Sequence, residues 1–236
     1  MANENKDAPL AHRTGNPDIA AFVEAARNAP VPVKSDRGRL IFALDATMSR
    51  QATWDLAQSL QARMFQVAAD LGGLDVQLVY FRGQGECRAS SFVSDGRGLA
   101  DLMRGISVRG GVTQLGRVLA HARDAAKAAK VGALVFVGDA MEEAPESLFA
   151  VAGELALAGV KAFMFQEGDD RRARTAFQEI ARVTGGAYGA FNAGSAARLA
   201  TLLRAAAAYA AGGRSALEAL ASKEADARPL LAQMRG

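Results

Sequence analysis

One short stretch, residues 40–49, constrains the fold of this chain more than any other. Five apolar residues run directly into Asp45, and hydroxyl residues follow at Thr47 and Ser49. A short apolar run bounded by polar residues is typical of a strand buried on both faces. Apolar residues at helical spacing over 50–71 then predict a helix. The three polar residues therefore lie between a buried strand and a helix, where ligands bind in open parallel sheets.

The rest of the chain repeats this alternation of strands and helices. We predict strands at 40–45, 75–81, 86–93, 132–138, 160–166 and 187–191. The short turn from Gly83 to Gly85 requires the second and third strands to be antiparallel. The order predicts an α/β fold, a doubly wound and mostly parallel six-stranded sheet with one antiparallel edge strand, residues 86–93.

Helical and polar segments flank the predicted sheet domain, which spans residues 38–211. Residues 1–37 are expected to form an N-terminal tail, a short helix and a linker. Gly212 and Gly213 are expected to form a hinge before a C-terminal helical extension, residues 212–236. The apolar residues of that extension either dock on their own domain or bind a partner or a second copy of the chain.

The Asp-x-Thr-x-Ser spacing places one carboxylate and two hydroxyl groups on the same side of a tight turn. Hard cations such as Mg²⁺ bind oxygen ligands in a near-octahedral shell and keep some of their waters. However, Asp and Ser also commonly cap helices, so Asp45 and Ser49 have a purely structural alternative. The three residues by themselves do not decide between a metal site and helix caps.

Two further segments favour the metal site. The loop 110–116 is rich in Gly and carries Thr113, and the apolar run 133–138 leads into Asp139. With the first stretch they resemble the metal-ion-dependent adhesion site (MIDAS) of the von Willebrand factor type A (VWA) family. A turn at 184–188 is also similar to that family. The resemblance covers roughly residues 38–210 and implies a Rossmann-like VWA fold with a metal site made of Asp45, Thr47, Ser49, Thr113 and Asp139.

The resemblance also implies how such a site works. A divalent cation, Mg²⁺ or else Mn²⁺ or Ca²⁺, is held at the C-terminal edge of the sheet by hydroxyl groups and by carboxylates that act partly through water. The ion then keeps most of its charge and binds an acidic side chain of a protein partner. Met48 and Ala140 stand where the family usually has Gly, and Arg50 places a cation next to the site.

Two other functions stay open at this point. One is a scaffold protein whose site is vestigial and metal-free. The other is a Mg²⁺-dependent hydrolase, but Thr47 stands where a haloacid-dehalogenase-like site has its second Asp, and no phosphate-binding P-loop sequence is present. Glu142 and Glu143 are the candidate bases, and we expect both to be solvated. We therefore expect that the protein is not an enzyme.

Composition limits the class of partner and the compartment. The formal net charge is only +3, too small for the basic stripe that nucleic-acid binding needs. No apolar run approaches the length of a membrane helix, and the N-terminus lacks the features of a signal peptide. We expect a cytoplasmic protein that binds neither nucleic acid nor membrane, and the Ala- and Arg-rich composition is typical of a bacterial source.

For two residues with reactive side chains, a cysteine and a histidine, we predict no functional role. Cys87 is the single cysteine, so no disulfide forms within the chain, and its position in a strand predicts a partly buried, inert thiol. His121 shares a polar helix face with Arg117 and Asp124, which predicts a solvated surface histidine.

Overall fold

The computed structural model of the protein describes residues 37–47, 54–57, 59–60, 64, 66, 68, 71, 73–192 and 195–234. The expected N-terminal tail, helix and linker lie outside the described residues, apart from Arg37. Ser49 and its neighbours Met48 and Arg50 also lie outside them.

Within the described residues, six strands form one sheet. In chain order these are β1 Gly38–Asp45, β2 Leu74–Arg82, β3 Glu86–Val93, β4 Ala133–Gly138, β5 Lys161–Glu167 and β6 Ala187–Phe191. The spatial order is β3-β2-β1-β4-β5-β6. Only the β2–β3 pair is antiparallel. The predicted sheet is confirmed, with β3 as the antiparallel edge strand and β1 beside β4.

Helices connect the strands on both faces of the sheet. They are α1 Gly96–Arg104, α2 Leu115–Ala128, α3 Pro145–Leu157, α4 Arg171–Thr184, α5 Ala196–Lys223 and α6 Arg228–Gln233. A short 3-10 turn, Ala225–Ala227, joins the last two. The described positions from 54 to 68 are helical as well. No helix in the described part of the chain is both long enough and apolar enough to cross a membrane.

Both faces of the sheet are covered because successive side chains of a strand point to opposite faces. In β1, Leu40, Phe42 and Leu44 pack with α1, α5 and α6 and with described helical residues before β2, namely Trp54, Ala57, Leu60, Met64 and Ala68. Ile41 and Ala43 pack on the other side with α2, α3 and α4. The core therefore has two layers, and the continuous apolar run of β1 is explained by its burial on both sides.

The C-terminal extension docks on its own domain. Helix α5 is kinked at Gly213, whose φ of 68° and ψ of −158° are not helical, and only Gly adopts such a conformation readily. Beyond the kink, Leu217, Leu230 and Met234 are buried in the core. Gln233 bonds to the backbone N–H and C=O of Tyr188 on edge strand β6, at 2.9 and 3.0 Å. Self-association through this extension stays a prediction.

Candidate metal centre

The ends of β1 and β4 bring two carboxylates to one edge of the sheet. Strand β1 ends at Asp45, and Asp139 directly follows the last residue of β4. The two strands are parallel neighbours, so their carboxyl ends meet. Asp45 Oδ1 accepts a hydrogen bond from the Thr47 N–H at 2.8 Å, which closes the turn after β1. Asp45 and Thr47 are both largely buried, 3% and 8% exposed.

The loop that carries Thr113 reaches the same edge by resting on the β2–β3 turn. The Gly83 carbonyl accepts from the Val112 N–H at 3.3 Å and from Gln114 Nε2 at 3.4 Å. The two backbones also touch, because a Cβ on Gly111 would lie 2.4 Å from both N and O of Gly83. Gly111 is needed here for this close approach rather than for a special dihedral angle.

One cavity of about 170 Å³ lies between these segments. Its lining residues are Asp45, Thr47, Gly110, Gly111, Thr113, Asp139, Ala140 and Glu142. The structure therefore brings together four of the five residues predicted for the metal site, and the fifth, Ser49, lies outside the described residues. That these residues bind a metal stays a prediction.

The oxygen donors in the cavity suit a hard cation. Carboxylate and hydroxyl oxygens are ligands for Mg²⁺, Mn²⁺ and Ca²⁺. Imidazole nitrogen and sulfur ligands are absent from the described lining. Over the same described residues, no three His, Cys, Asp or Glu side chains form a group able to hold a metal. An ion here would thus depend on the hydroxyl groups of Thr47 and Thr113 as well as on the carboxylates.

Glu142 also lines the cavity, although the sequence indicated it only as a candidate base of a hydrolase and not as part of a metal site. Its Oε2 accepts hydrogen bonds from the Thr113 N–H at 3.0 Å and from Thr113 Oγ1 at 2.5 Å. Its own N–H donates to Thr113 Oγ1 at 3.1 Å. Glu142 is exposed to solvent, as expected, but its carboxylate and its backbone N–H are also bonded to Thr113. The two residues are 29 positions apart, and nothing in the local sequence pairs them.

Glu143 is partly buried and caps helix α2, so the expectation that it is solvated is wrong. Its Oε2 accepts from the Leu115 N–H at 2.6 Å and its Oε1 from the Gly116 N–H at 2.9 Å. These amides have no partner inside the helix, so an acidic side chain stabilises them. Burial nevertheless raises the pKa of the Glu143 carboxyl above its usual range, and the bonds from Gly116 and Leu115 only partly oppose that shift.

His121 and Cys87, the two other residues considered in the sequence analysis, do not line the cavity. His121 is half-buried, and one ring nitrogen bonds to Gln77 Oε1 at 2.8 Å, so the predicted solvated histidine is wrong. Burial lowers the pKa of its imidazole below the ordinary value. Cys87 is more buried than expected, and burial raises the pKa of its thiol to about 12, which keeps it neutral and unreactive.

Comparisons with known proteins point to the fold rather than to a close relative. No protein-family model matches the sequence, and no curated protein sequence matches it. Among solved structures, the VWA domain of SpRpn10 is 13% identical with a TM-score of 0.55, and the match covers 75% of this chain and 97% of that one. The vWF domain of the pilus tip protein Mfa5 from Porphyromonas gingivalis is 11% identical with a TM-score of 0.53, and the match covers 74% and 95%.

A third similar structure carries a metal. Proximal thread matrix protein 1 from the mussel byssus, in a structure with a zinc-occupied MIDAS motif, is 15% identical with a TM-score of 0.52. The match covers 74% of this chain and 46% of that one. These likenesses to solved VWA structures show that the chain has a VWA-like fold.

Proposed function

We propose that the chain is a protein-interaction module that binds its partner through a divalent cation. The observation that carries this proposal is the meeting of Asp45, Thr47, Thr113 and Asp139 in one cavity at the carboxyl edge of a VWA-like sheet. A structure of similar fold holds zinc in its MIDAS motif. We propose Ser49 as the fifth ligand, and Mg²⁺, Mn²⁺ or Ca²⁺ as the ion.

The lining residues would contribute to metal binding in two ways, as negative charges and as neutral oxygen ligands. Asp45 and Asp139 supply negative charge that attracts a dication to the cavity, while the neutral hydroxyls of Thr47 and Thr113 add ligands without cancelling more charge. A dication held in this way supplies an open coordination position for a carboxylate oxygen. Beside the cavity, Val112 is 42% exposed, so the partner would meet an apolar contact next to a charged one.

Metal binding is tested by calorimetric titration of Mg²⁺ and Mn²⁺ into the wild type and Asp45→Ala. The variant should lose at least about tenfold in affinity, because changes in the outer shell alone already reach that scale. Asp101→Ala is the matched control, since this carboxylate is 61% exposed and pairs with Arg104 on α1. Equal affinities of wild type and Asp45→Ala would refute the site.

Partner binding is tested by capture from a native extract with and without a chelator. A protein retained by the wild type should be released by chelator, should return with added Mg²⁺ or Mn²⁺, and should never be retained by Asp45→Ala. The expected partner is a cytoplasmic protein that contributes an acidic side chain. Retention in chelator would show that the interaction does not pass through an ion.

One observation favours a second candidate, a scaffold with a metal-free site. The hydroxyl and the amide of Thr113 already have hydrogen-bond partners in Glu142 without any ion. If the wild type binds no divalent cation, this candidate takes the place of the first. A hydrolase is the least favoured candidate, because Thr113 and the amides of α2 already engage Glu142 and Glu143, which would have to supply the base.

A further inference from the structure

We propose that Glu142 is a positioning residue of the metal site. In this role it fixes the Thr113 hydroxyl toward the cavity and makes its oxygen a stronger ligand. The inference rests on the proposed metal binding and adds a residue that the resemblance to the VWA family does not supply. It also predicts that Glu142 raises the affinity for the cation rather than competing with it.

The hydrogen bonds between Glu142 and Thr113 leave room for an ion. A hydroxyl group has one donor hydrogen and two acceptor lone pairs. The hydrogen of Thr113 Oγ1 is donated to Glu142 Oε2, and one lone pair accepts the Glu142 N–H. One lone pair remains, and Thr113 lines the cavity. Both bonds can therefore persist while the same oxygen coordinates a cation.

The electrostatic effect of Glu142 favours the cation in two ways. The contact of 2.5 Å from Thr113 Oγ1 to Glu142 Oε2 has the length of a charge-assisted O–H···O⁻ bond. A carboxylate that accepts a hydrogen bond from a metal ligand makes that ligand more basic. Glu142 also lines the cavity itself, so its negative charge adds to the attraction of Asp45 and Asp139 for a dication.

The loop that carries Glu142 is held before any ion binds. Met141 is only 3% exposed and packs in the core on one side. On the other side, Glu143 caps helix α2. Arg172 Nη2 donates to the backbone carbonyls of Glu142 and Glu143, at 3.2 and 3.0 Å. The backbone N–H of Glu142 is thus fixed toward Thr113, which is the condition for positioning a ligand in advance.

The test is calorimetric titration of Mg²⁺ and Mn²⁺ into Glu142→Gln, which keeps the shape of the side chain and removes its charge. We expect the affinity to fall by about 10- to 100-fold, the usual scale for the loss of an outer-shell carboxylate. Glu146→Gln is the matched control, because Glu146 is an exposed glutamate in the first turn of α3, outside the cavity lining. Melting temperatures in chelator verify that both variants are folded.

The double variant Thr113→Val with Glu142→Gln distinguishes positioning from a general effect of charge. If Glu142 acts through the hydroxyl, its substitution should cost far less affinity once Thr113→Val has removed that hydroxyl. An undiminished loss in the double variant would overturn the positioning role.

The failure of this inference differs from the failure of the proposed function. If the wild type binds no divalent cation, both are wrong. If the wild type binds the ion and Glu142→Gln binds it equally or more tightly, the metal site stands and Glu142 is either neutral or a competitor for Thr113.

Discussion

The two edges of the sheet offer cavities of opposite character. The cavity at the carboxyl edge is about 170 Å³ and is lined by carboxylate and hydroxyl groups. The cavity at the amino edge is about 610 Å³, and its described charged lining residues are all basic, namely Arg37, Arg39 and Lys130. For a cation, the smaller cavity is the favourable one, so the charge of the lining indicates function here better than the volume does.

Two of the three basic residues at the amino edge have structural partners. Arg37 Nε forms an ion pair with Asp75 Oδ1 at 2.8 Å, and its Nη2 donates to the Leu74 carbonyl at 2.9 Å. Arg39 lies over the ring of Phe92, 5.2 Å from its centroid. The first part of α5 also ends at this edge, and the C-terminal end of a helix stabilises nearby cationic side chains. The same sheet therefore uses charge for structure at one edge and, as we propose, for binding at the other.

The largest predicted loss of stability comes from a substitution inside strand β1, and a much smaller loss is expected at the carboxyl end of the same strand. Leu44→Ala should lower the free energy of unfolding by about 2–5 kcal/mol, because Leu44 is 1% exposed in the packed core. Asp45→Ala, one residue further, should cost about 0.5–1.5 kcal/mol for the lost bond from the Thr47 N–H. Urea unfolding in chelator measures both. Equal costs would show that Asp45 is a core residue rather than a site residue.

A pair of Gly→Ala substitutions applies the same perturbation to both edges. A Cβ on Gly111 would lie 2.4 Å from backbone atoms of Gly83, and one on Gly38 would lie 2.1 Å from the Ala210 carbonyl oxygen. Each should lower stability by about 1–3 kcal/mol, as overpacking does. Only Gly111→Ala should also weaken Mg²⁺ binding, because it displaces the loop of Thr113.

Urea unfolding and calorimetry on the two glycine variants give four numbers for comparison. If Gly38→Ala weakens metal binding as much as Gly111→Ala does, the two edges are coupled through the sheet, and the contrast between them fails. If neither variant changes metal binding, the position of the Thr113 loop does not control the site.

The sequence predicted the sheet better than it predicted the contacts within the site. Strands β1 and β4 contain continuous apolar runs that lead into Asp45 and Asp139, so their type, pairing and common edge follow from local pattern and chain topology. The hydrogen bonds of Glu142 and His121 were not predicted, because their partners lie 29 and 44 residues away in the sequence. No periodicity relates such pairs, and only the packing of α2 and of the loop after β4 brings them together.

The smallest predicted effect comes from His121, which lies between the two edges. Its Nε2 bonds to Gln77 Oε1, and Gln77 Nε2 donates to the Ser90 carbonyl at 2.7 Å, which fixes the amide so that the imidazole must donate.

Burial lowers the pKa of His121 in the folded state below its ordinary 6.5, although Asp124 partly opposes the shift. The unfolded chain therefore takes up the proton first as the pH falls, so the stability that neutral His121 contributes is present above pH 6.5 and is lost below it. His121→Gln, whose amide can still donate to Gln77, removes this titration. When the pH is lowered from about 7.5 to about 5.5, the melting temperature of the wild type should fall further than that of the variant. Metal affinity at the higher pH should be equal in both, since His121 does not line the cavity. Equal losses of melting temperature would show that the pH dependence comes from other groups, Glu143 at the carboxyl edge among them.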